Sequence, residues 1–546
     1  MKKTKWDFWN IISLLFFTIC FLLTIYVTRR AAAVILDSDA SSELILAHHL
    51  ADKGTFMSTE WLYSSELRVL NTQLIFMPLF RLLDDWSTVR FIGTIILQCL
   101  LILSYWYLTR SLKIRSKYFF FTAGLLILPS SGAYAKYVLY HCYYIPHIAL
   151  GFLLMGLFCR LQENGARKTW KSICLLAIFL LISFGSGLGG IRQLMATFAP
   201  LVLICFLLSF RQKQLSPGLK SSEKARLFLF SQEGRALILS LLGALCAAIG
   251  YLINSKVFAQ YFSFQDYEIT KIYIPDFLIF EQCYRGLMSV FGFRAEIPLM
   301  SVDGIASICS ILYFWLVIYF SMRLFLRRSQ IKSIPYAVVS LMFLSALVIN
   351  LPIMLLTFTY IDRYLILVTV LFIPLLALLL NDREGALPMP RYTKTLSIFI
   401  GVIIAFNSFY FARPYLKRSL TPEVADKKPK ISLAADYLKE NDYEFGFSTF
   451  WNANIVTELT DGIVEVASVQ DLPTPHFFHW LALKDYERQG YHTEKTFLLL
   501  SIAEEAAIQD SDLLMSGEKV YQDEFYVIYD YPSDAKFAET LDYLPD

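Results

Sequence analysis

The stretch VILDSDASSELILAHHLADKG, Val34 to Gly54, places Asp37, Asp39, Glu43, His48 and His49 within thirteen residues, directly after an apolar segment long enough to span a bilayer. Carboxylates at a partly dehydrated interface hold protons more tightly than in water, which suits a general base. From Asp39 onward the pattern is helical, with Leu44, Ala47 and Leu50 on one apolar face and Gly54 as the stop. Asp39 and Glu43 are four residues apart and share a side of that helix, while Asp37 lies in the turn before it. A competing role for Asp39 is the helix cap, a position that favours Asp. Asp37 and Asp39, with His48 and His49, are also the candidate ligands for a divalent ion. Adjacent histidines on a helix point about 100° apart, which works against a shared site.

The elements that must position these groups are membrane helices. The chain of 546 residues is 56% hydrophobic and 17% charged, whereas soluble domains average about 25% charged. Runs of roughly 17 to 25 apolar residues, the length that crosses about 30 Å of hydrocarbon, recur through residues 1–411. Period-2 alternation is absent there, so the spans are helical. Eleven are expected, at about 11–27, 88–109, 118–129, 143–158, 171–184, 192–209, 236–253, 305–326, 336–357, 365–380 and 395–411. With MKKTK at the cytoplasmic side, the basic loops 110–117, 160–171, 211–235, 327–332 and 381–394 all fall inside. A cleaved signal peptide ending at AAA (residues 31–33) is the alternative reading of the first span; Arg29 and Arg30 interrupt its cleavage region. The segment 70–83, with Asn71, Gln73 and Arg81, then reads as an interfacial helix rather than a crossing.

That topology puts all seven histidines and the acidic residues after the first span on the outer face. It leaves almost no ionisable residue at mid-depth, which argues against an ion-coupled transporter. Charge divides the chain as well. Residues 412–546 carry 12 Lys+Arg against 25 Asp+Glu, while residues 1–411 carry 37 against 21. The expected organisation is a transmembrane domain, 1–411, with outer loops 28–87 and 254–304, followed by an extracytoplasmic soluble α/β domain, 412–546. In the tail, 431–441 and NANIVTELT read as helices, and YEFGFSTF, GIVEVASV, TFLLLSIA and EFYVIYDY read as strands. No cysteine follows Cys309, no Cys/His spacing suggests zinc, and the basic excess sits in short loops, so it is a topology signal and not a nucleic-acid footprint.

A first span, an acidic residue at its outer end, the helix D-ASSE-LILAHHLADKG from Asp39, a proline-bearing embedded helix, and MPLFRLLDDWSTVRFIGTIILQCLLILSYWYLTR leading into the second span together resemble the GT-C superfamily of integral-membrane glycosyltransferases. Its members include the protein O-mannosyltransferases and the lipid A aminoarabinose transferase. The later stretch TYIDRYLILV, 359–368, fits the same pattern. The resemblance implies an all-α polytopic GT-C-like fold with an enzyme that takes a sugar from a polyprenyl-phosphate carrier on the outer leaflet. It implies that Asp39 deprotonates the acceptor hydroxyl and that Arg363 and Tyr364 lie near the donor phosphate. Two departures stand out. The family's adjacent Asp-Glu pair is Asp-Ser-Asp here, so the base is Asp37 or Asp39, with the spacing to Ala47 and Gly54 favouring Asp39. The Pro-Pro before the embedded helix is reduced to Pro78.

Within that frame Arg363 is the candidate bidentate phosphate clamp, and Arg192 the second, with a snorkelling anchor as its alternative. Tyr143, Tyr144 and His147, in HCYYIPHI, are candidates for hydrogen bonds to donor phosphate or sugar; an aromatic belt explains the tyrosines equally. Glu43, His48 and His49 form a supporting cluster. The expected function is sugar transfer, by inverting displacement, from a polyprenyl-phosphate donor to an envelope glycan, lipid or protein, in the cell membrane and with no nucleic acid involved. The sequence identifies no definite cofactor, a divalent ion being the one candidate. The rivals are a lipid-linked oligosaccharide flippase, which needs a polar path through the bilayer, and a non-catalytic envelope-glycan assembly protein.

Overall fold

A computed structural model describes residues 7–164, 169–210, 227–264, 272–357, 362–382, 386–420 and 430–544. The MKKTK segment, most of the basic loop 211–235 and residues 359–361 of the Arg-Tyr stretch lie outside the described residues. Among those described, nine helices are long and apolar enough to cross a membrane: Phe8–Arg29, Trp86–Ser111, Ile145–Glu163, Trp170–Gly187, Gln232–Gln260, Val302–Leu326, Ile334–Leu356, Arg363–Asn381 and Thr393–Arg413. They make this a multi-pass membrane protein. The other two expected spans coincide with shorter helices, Ser116–Leu126 and Leu194–Ser209. Eleven residues rise only about 16 Å, roughly half the hydrocarbon thickness.

The chain divides into two compact units. The first comprises Met1–Tyr26, Leu97–Asn254 and Ile269–Leu416 and holds most of the apolar helices. Small residues set its tightest packing. A Cβ on Gly187 would lie 1.9 Å from the Ala247 carbonyl oxygen, and one on Gly250 would lie 2.2 Å from that of Phe184. The helices Trp170–Gly187 and Gln232–Leu252 therefore meet backbone to backbone, the usual way membrane helices gain contact when lipid and side chain are equally apolar. The GSGLGG stretch, residues 185–190, thus begins as a helix contact before it turns.

The second unit comprises Val27–Ile96, Ser255–Glu268 and Lys417–Asp546. Composition divides the chain near residue 412, whereas packing groups the segment after the first span with the tail. A small sheet shows how: β1 (Trp61–Tyr63) pairs parallel with β2 (Ser263–Phe264) and antiparallel with a tail strand, Ala482–Leu483. The tail itself is a six-stranded mixed sheet. Its central strands β3 (Phe445–Thr449), β4 (Glu465–Gln470) and a third, Thr496–Ser501, run parallel, flanked by antiparallel edges. Alternation along the strands builds two cores. Phe497 and Leu499 face the helices Ser432–Glu440 and Phe450–Leu459, while Leu498 and Leu500 face the opposite layer with Phe445, Phe447 and Phe537. The two helices and four strands expected from the tail sequence are all present.

Candidate active site

The segment that opens the chain's chemistry folds as one helix, Ser38–Lys53. Asp37 is its cap: its backbone is extended and its Oδ1 accepts the Ala40 N–H at 3.0 Å. Gly54, at φ 68°, ends the helix in the left-handed conformation that glycine adopts without strain. The cap considered for Asp39 is therefore filled by Asp37. Asp39 sits in the first turn of the helix and is half-buried.

The first turn is fixed from outside. Arg90 is buried, donates from Nη2 to the Ala40 carbonyl at 3.1 Å, and grips Glu458 through Nε and through Nη2 at 2.5 Å. The Ser38 hydroxyl donates to the Phe450 carbonyl. Both Glu458 and Phe450 lie on the helix Phe450–Leu459, so a tail helix braces the residues on either side of Asp39. The first core turn of the helix is buried through Ala40, Leu44 and Ala47.

Glu43, His48 and His49 occupy three neighbourhoods. The Glu43 carboxylate accepts from Arg68 Nη1 at 3.1 Å, from Asn71 Nδ2 at 3.0 Å and from the Thr72 hydroxyl. His48 pairs with Asp52 at 3.3 Å and lies against the rings of Phe80 and Trp86. His49 is hydrogen-bonded to Ser58 at 2.8 Å and faces Glu60, whose carboxylate Lys53 holds at 3.0 Å. Burial pushes the His49 pKa down, and the Lys53 hydrogen bond lowers that of Glu60. The divalent-ion ligand set expected from Asp37, Asp39, His48 and His49 does not assemble: Asp37 is engaged as a cap and the imidazoles point to different partners. Among the described residues no group of three or more His, Cys, Asp or Glu is arranged to hold a metal. The embedded helix, Gln73–Phe80, is about 12 Å long, too short to cross. Asn71 and Gln73, expected at its interfacial surface, are buried instead.

The phosphate candidates lie in the first unit and form a connected group. The Arg363 guanidinium is 5.8 Å from the Tyr137 ring centre and 5.8 Å from that of Tyr364. Tyr137 in turn packs against Tyr143 and Tyr144, at 5.7 and 6.2 Å between ring centres. Arg192 stands 5.9 Å from the Tyr144 ring, with Nη1 3.3 Å from His147 Nε2. Gln193 donates to the His147 carbonyl at 2.6 Å. Arg363, Tyr364, Arg192, Tyr143, Tyr144 and His147 are thus brought together through a residue that sequence reasoning missed, Tyr137. Its neighbour Lys136, with Nζ 5.2 Å from the Tyr137 ring, adds a third cation. AKYVLY falls between two expected spans and carries no motif; the structure makes this stretch a π-type turn, which brings Tyr137 within reach of His141 and Tyr144.

No protein-family model matches the sequence, and no curated protein matches it. Among solved structures the chain is similar to ArnT from Cupriavidus metallidurans bound to undecaprenyl phosphate, over 94% of this chain and 97% of that one, with 10% identity and a TM-score of 0.51. The apo form of the same protein matches over the same shares with 11% identity and a TM-score of 0.47. The archaeal oligosaccharyltransferase AglB from Archaeoglobus fulgidus, in complex with an inhibitory peptide and a dolichol-phosphate, matches 90% of this chain and 69% of that one, with 12% identity and a TM-score of 0.46.

Proposed function

We propose that this chain, which has the GT-C fold, is a membrane glycosyltransferase that moves a sugar from a polyprenyl-phosphate carrier to a cell-envelope acceptor on the outer face of the membrane. The observation that carries this reading is the likeness, over nearly the whole chain, to a structure that holds undecaprenyl phosphate. Asp39 is the base. Its neighbours Ala40 and Ser38 are pinned by Arg90 and by the Phe450 carbonyl, and its helix is capped by Asp37. It takes the proton of the acceptor hydroxyl as that oxygen attacks the anomeric carbon, and the carrier phosphate leaves from the opposite side with inversion. Arg363 and Arg192, steadied by Tyr137, Tyr144 and His147, bind that phosphate and stabilise the charge it gains on departure. Asp37 closes the helix end through the Ala40 amide, which supports Asp39 in the catalytic role.

Comparison of envelope glycans by mass spectrometry, with and without this protein in its own cells, tests the proposal. Loss of one sugar residue from one glycan, with accumulation of the lipid-linked donor, is the expected result. Unchanged glycans and an unchanged donor pool would overturn it.

A further inference from the structure

Between the spans Gln232–Gln260 and Val302–Leu326 the chain forms a helix too short to cross a membrane, Phe277–Val290. Its fourteen residues rise about 21 Å, against about 30 Å of hydrocarbon. Asp276 opens it, with Oδ1 accepting the Ile279 N–H at 2.9 Å. Successive residues turn by about 100°, which gives the helix three sides. Cys283, Leu287 and Val290 are buried, and the helix packs against Val302–Leu326 and against the turn Asp362–Leu365. Gln282, Arg285 and Ser289 make a polar side, where Arg285 pairs with Glu281 at 2.7 Å. Phe277, Phe280 and Tyr284 make an apolar side, and all three are exposed, Phe277 at 83%. Ile274 and Leu278 widen the exposed apolar surface at the N-terminal end of the helix.

This surface does not stop at the helix. Met300, 92% exposed, and Val302 carry it to the start of the span Val302–Leu326, where Ile305, Ile308 and Trp315 are exposed in turn. Lipid covers the open side of a spanning helix, so the apolar side of Phe277–Val290 is continuous with a surface that meets the bilayer. Charged groups mark the level at which water begins. Arg294 pairs with Asp303, in the first turn of the span, at 2.8 Å, and its guanidinium stands 4.2 Å from the Tyr410 ring centre. Tyrosine and basic side chains at helix ends belong to the headgroup zone.

From this arrangement we infer that Phe277–Val290 is an in-plane membrane helix. It lies along the bilayer surface at the level where Val302–Leu326 begins, with Phe277, Phe280 and Tyr284 among lipid acyl chains and Gln282 and Arg285 among the headgroups. Such a helix sinks its apolar side about 5–10 Å into the boundary between headgroup and acyl chain. The partner is the bulk lipid of the bilayer, on the outer side in the orientation proposed above. The inference goes beyond the transferase reading and needs only that the chain resides in a membrane. It adds one feature to that reading: the turn Asp362–Leu365, which carries Arg363, rests against a helix held at headgroup depth, the level at which the phosphate of a lipid carrier lies.

Photo-crosslinking of the full-length protein in nanodiscs of phosphatidylethanolamine and phosphatidylglycerol, with no polyprenyl lipid present, tests this. Benzoylphenylalanine in place of Phe277 or Phe280 is expected to form phospholipid adducts, read by mass spectrometry, at least about tenfold more often than in place of Gln282. A footprint of the unaltered protein serves where a substituted chain fails to fold. Under hydroxyl radicals in the same nanodiscs, Met300 is expected to oxidise at least about tenfold more slowly than Met515 of the tail, which is 69% exposed. Absence of phospholipid adducts at Phe277 and Phe280, equal lipid yields there and at Gln282, adducts to a second copy of the chain instead of lipid, or oxidation of Met300 as fast as that of Met515 overturns the assignment. No sugar donor enters either measurement, so a failure of the transfer reading leaves both intact.

Discussion

Removing one partner of the Arg90–Glu458 pair is the sharpest test of how the candidate base is held. Both side chains are almost fully buried, at 8% and 6% exposure, and the guanidinium also ties down the Ala40 carbonyl next to Asp39. Glu458→Gln keeps the shape and leaves a buried cation without its counter-charge, which costs about 3–5 kcal/mol. Replacing both partners with apolar residues, Arg90→Met with Glu458→Leu, removes the charge and the desolvation together and is expected to recover most of that loss. In the cycle of Arg90→Met, Glu458→Leu and their double, the coupling energy is then roughly 3 kcal/mol, about a 150-fold change in an equilibrium constant. Hydrogen exchange on the full-length protein in detergent reads it directly, through the opening of Ser38–Lys53 and Phe450–Leu459. Glu458→Gln should also slow sugar transfer by roughly 10- to 100-fold, because a small shift of the first turn misplaces Asp39. Glu458→Gln within about 1 kcal/mol of the parent, or a double variant as weak as the sum of the singles, would refute the reasoning.

The remaining predictions concern a cap, a helix contact and a pH-sensitive strap. Asp37→Ala should destabilise the helix Ser38–Lys53 by about 1 kcal/mol while Asp37→Asn, an equally good cap, leaves it within a few tenths, as read by exchange of the first-turn amides. Gly187→Ala forces a methyl into the Ala247 carbonyl and should cost about 1–3 kcal/mol or part the two helices, seen as a lowered melting temperature in detergent. In the tail, His479 Nδ1 lies 2.5 Å from the buried Glu487 carboxylate and Nε2 3.2 Å from Asp542, and the Glu487 hydrogen bond raises the His479 pKa while burial raises that of Glu487. A raised folded pKa lends stability that is complete below the unfolded value and is lost as pH rises through the folded one, so His479 stabilises below about pH 6.5 and loses its contribution above it. The effect is about 1–2 kcal/mol, held down by the partial exposure of the imidazole. His479→Gln should abolish the pH dependence of the protection factor at Leu544, whose N–H donates to the Glu487 carbonyl.

Much of the fold was legible because its signals are periodic. Apolar runs located the spans, and the short apolar runs TFLLLS and YVIYDY located central strands whose two faces are both buried. His476–Phe477 and Ala482–Leu483 are two residues long and carry no period, and Glu518–Gln522 is an edge strand whose charges mask it. The stop at Gly54 was readable from one residue type. The start was not, because Asp-Ser-Asp offers two acids and only the backbone decides which one is extended and which is helical. The contacts that build the site are harder still. Arg90 meets Glu458 from 368 positions away, and Glu43 is met by Arg68, Asn71 and Thr72 from an irregular loop. Neither pairing leaves a spacing to read. Tyr143 and Tyr144 are legible as donor-site candidates, but the residue that links them to Arg363 is Tyr137, in a stretch between expected spans that the structure winds as a π-type turn.

The most direct measurement of the central claim is single-turnover transfer from a synthetic polyprenyl-phosphate sugar to its envelope acceptor by the purified protein in nanodiscs, comparing the parent with Asp39→Asn and Asp37→Asn. Asp39→Asn should fold, bind the donor and lose at least about 100-fold in rate, as the removal of a general base requires, while Asp37→Asn keeps its cap and most of its rate. The product should carry the anomeric configuration opposite to that of the donor. Full transfer by Asp39→Asn, or a retained configuration, would contradict the account.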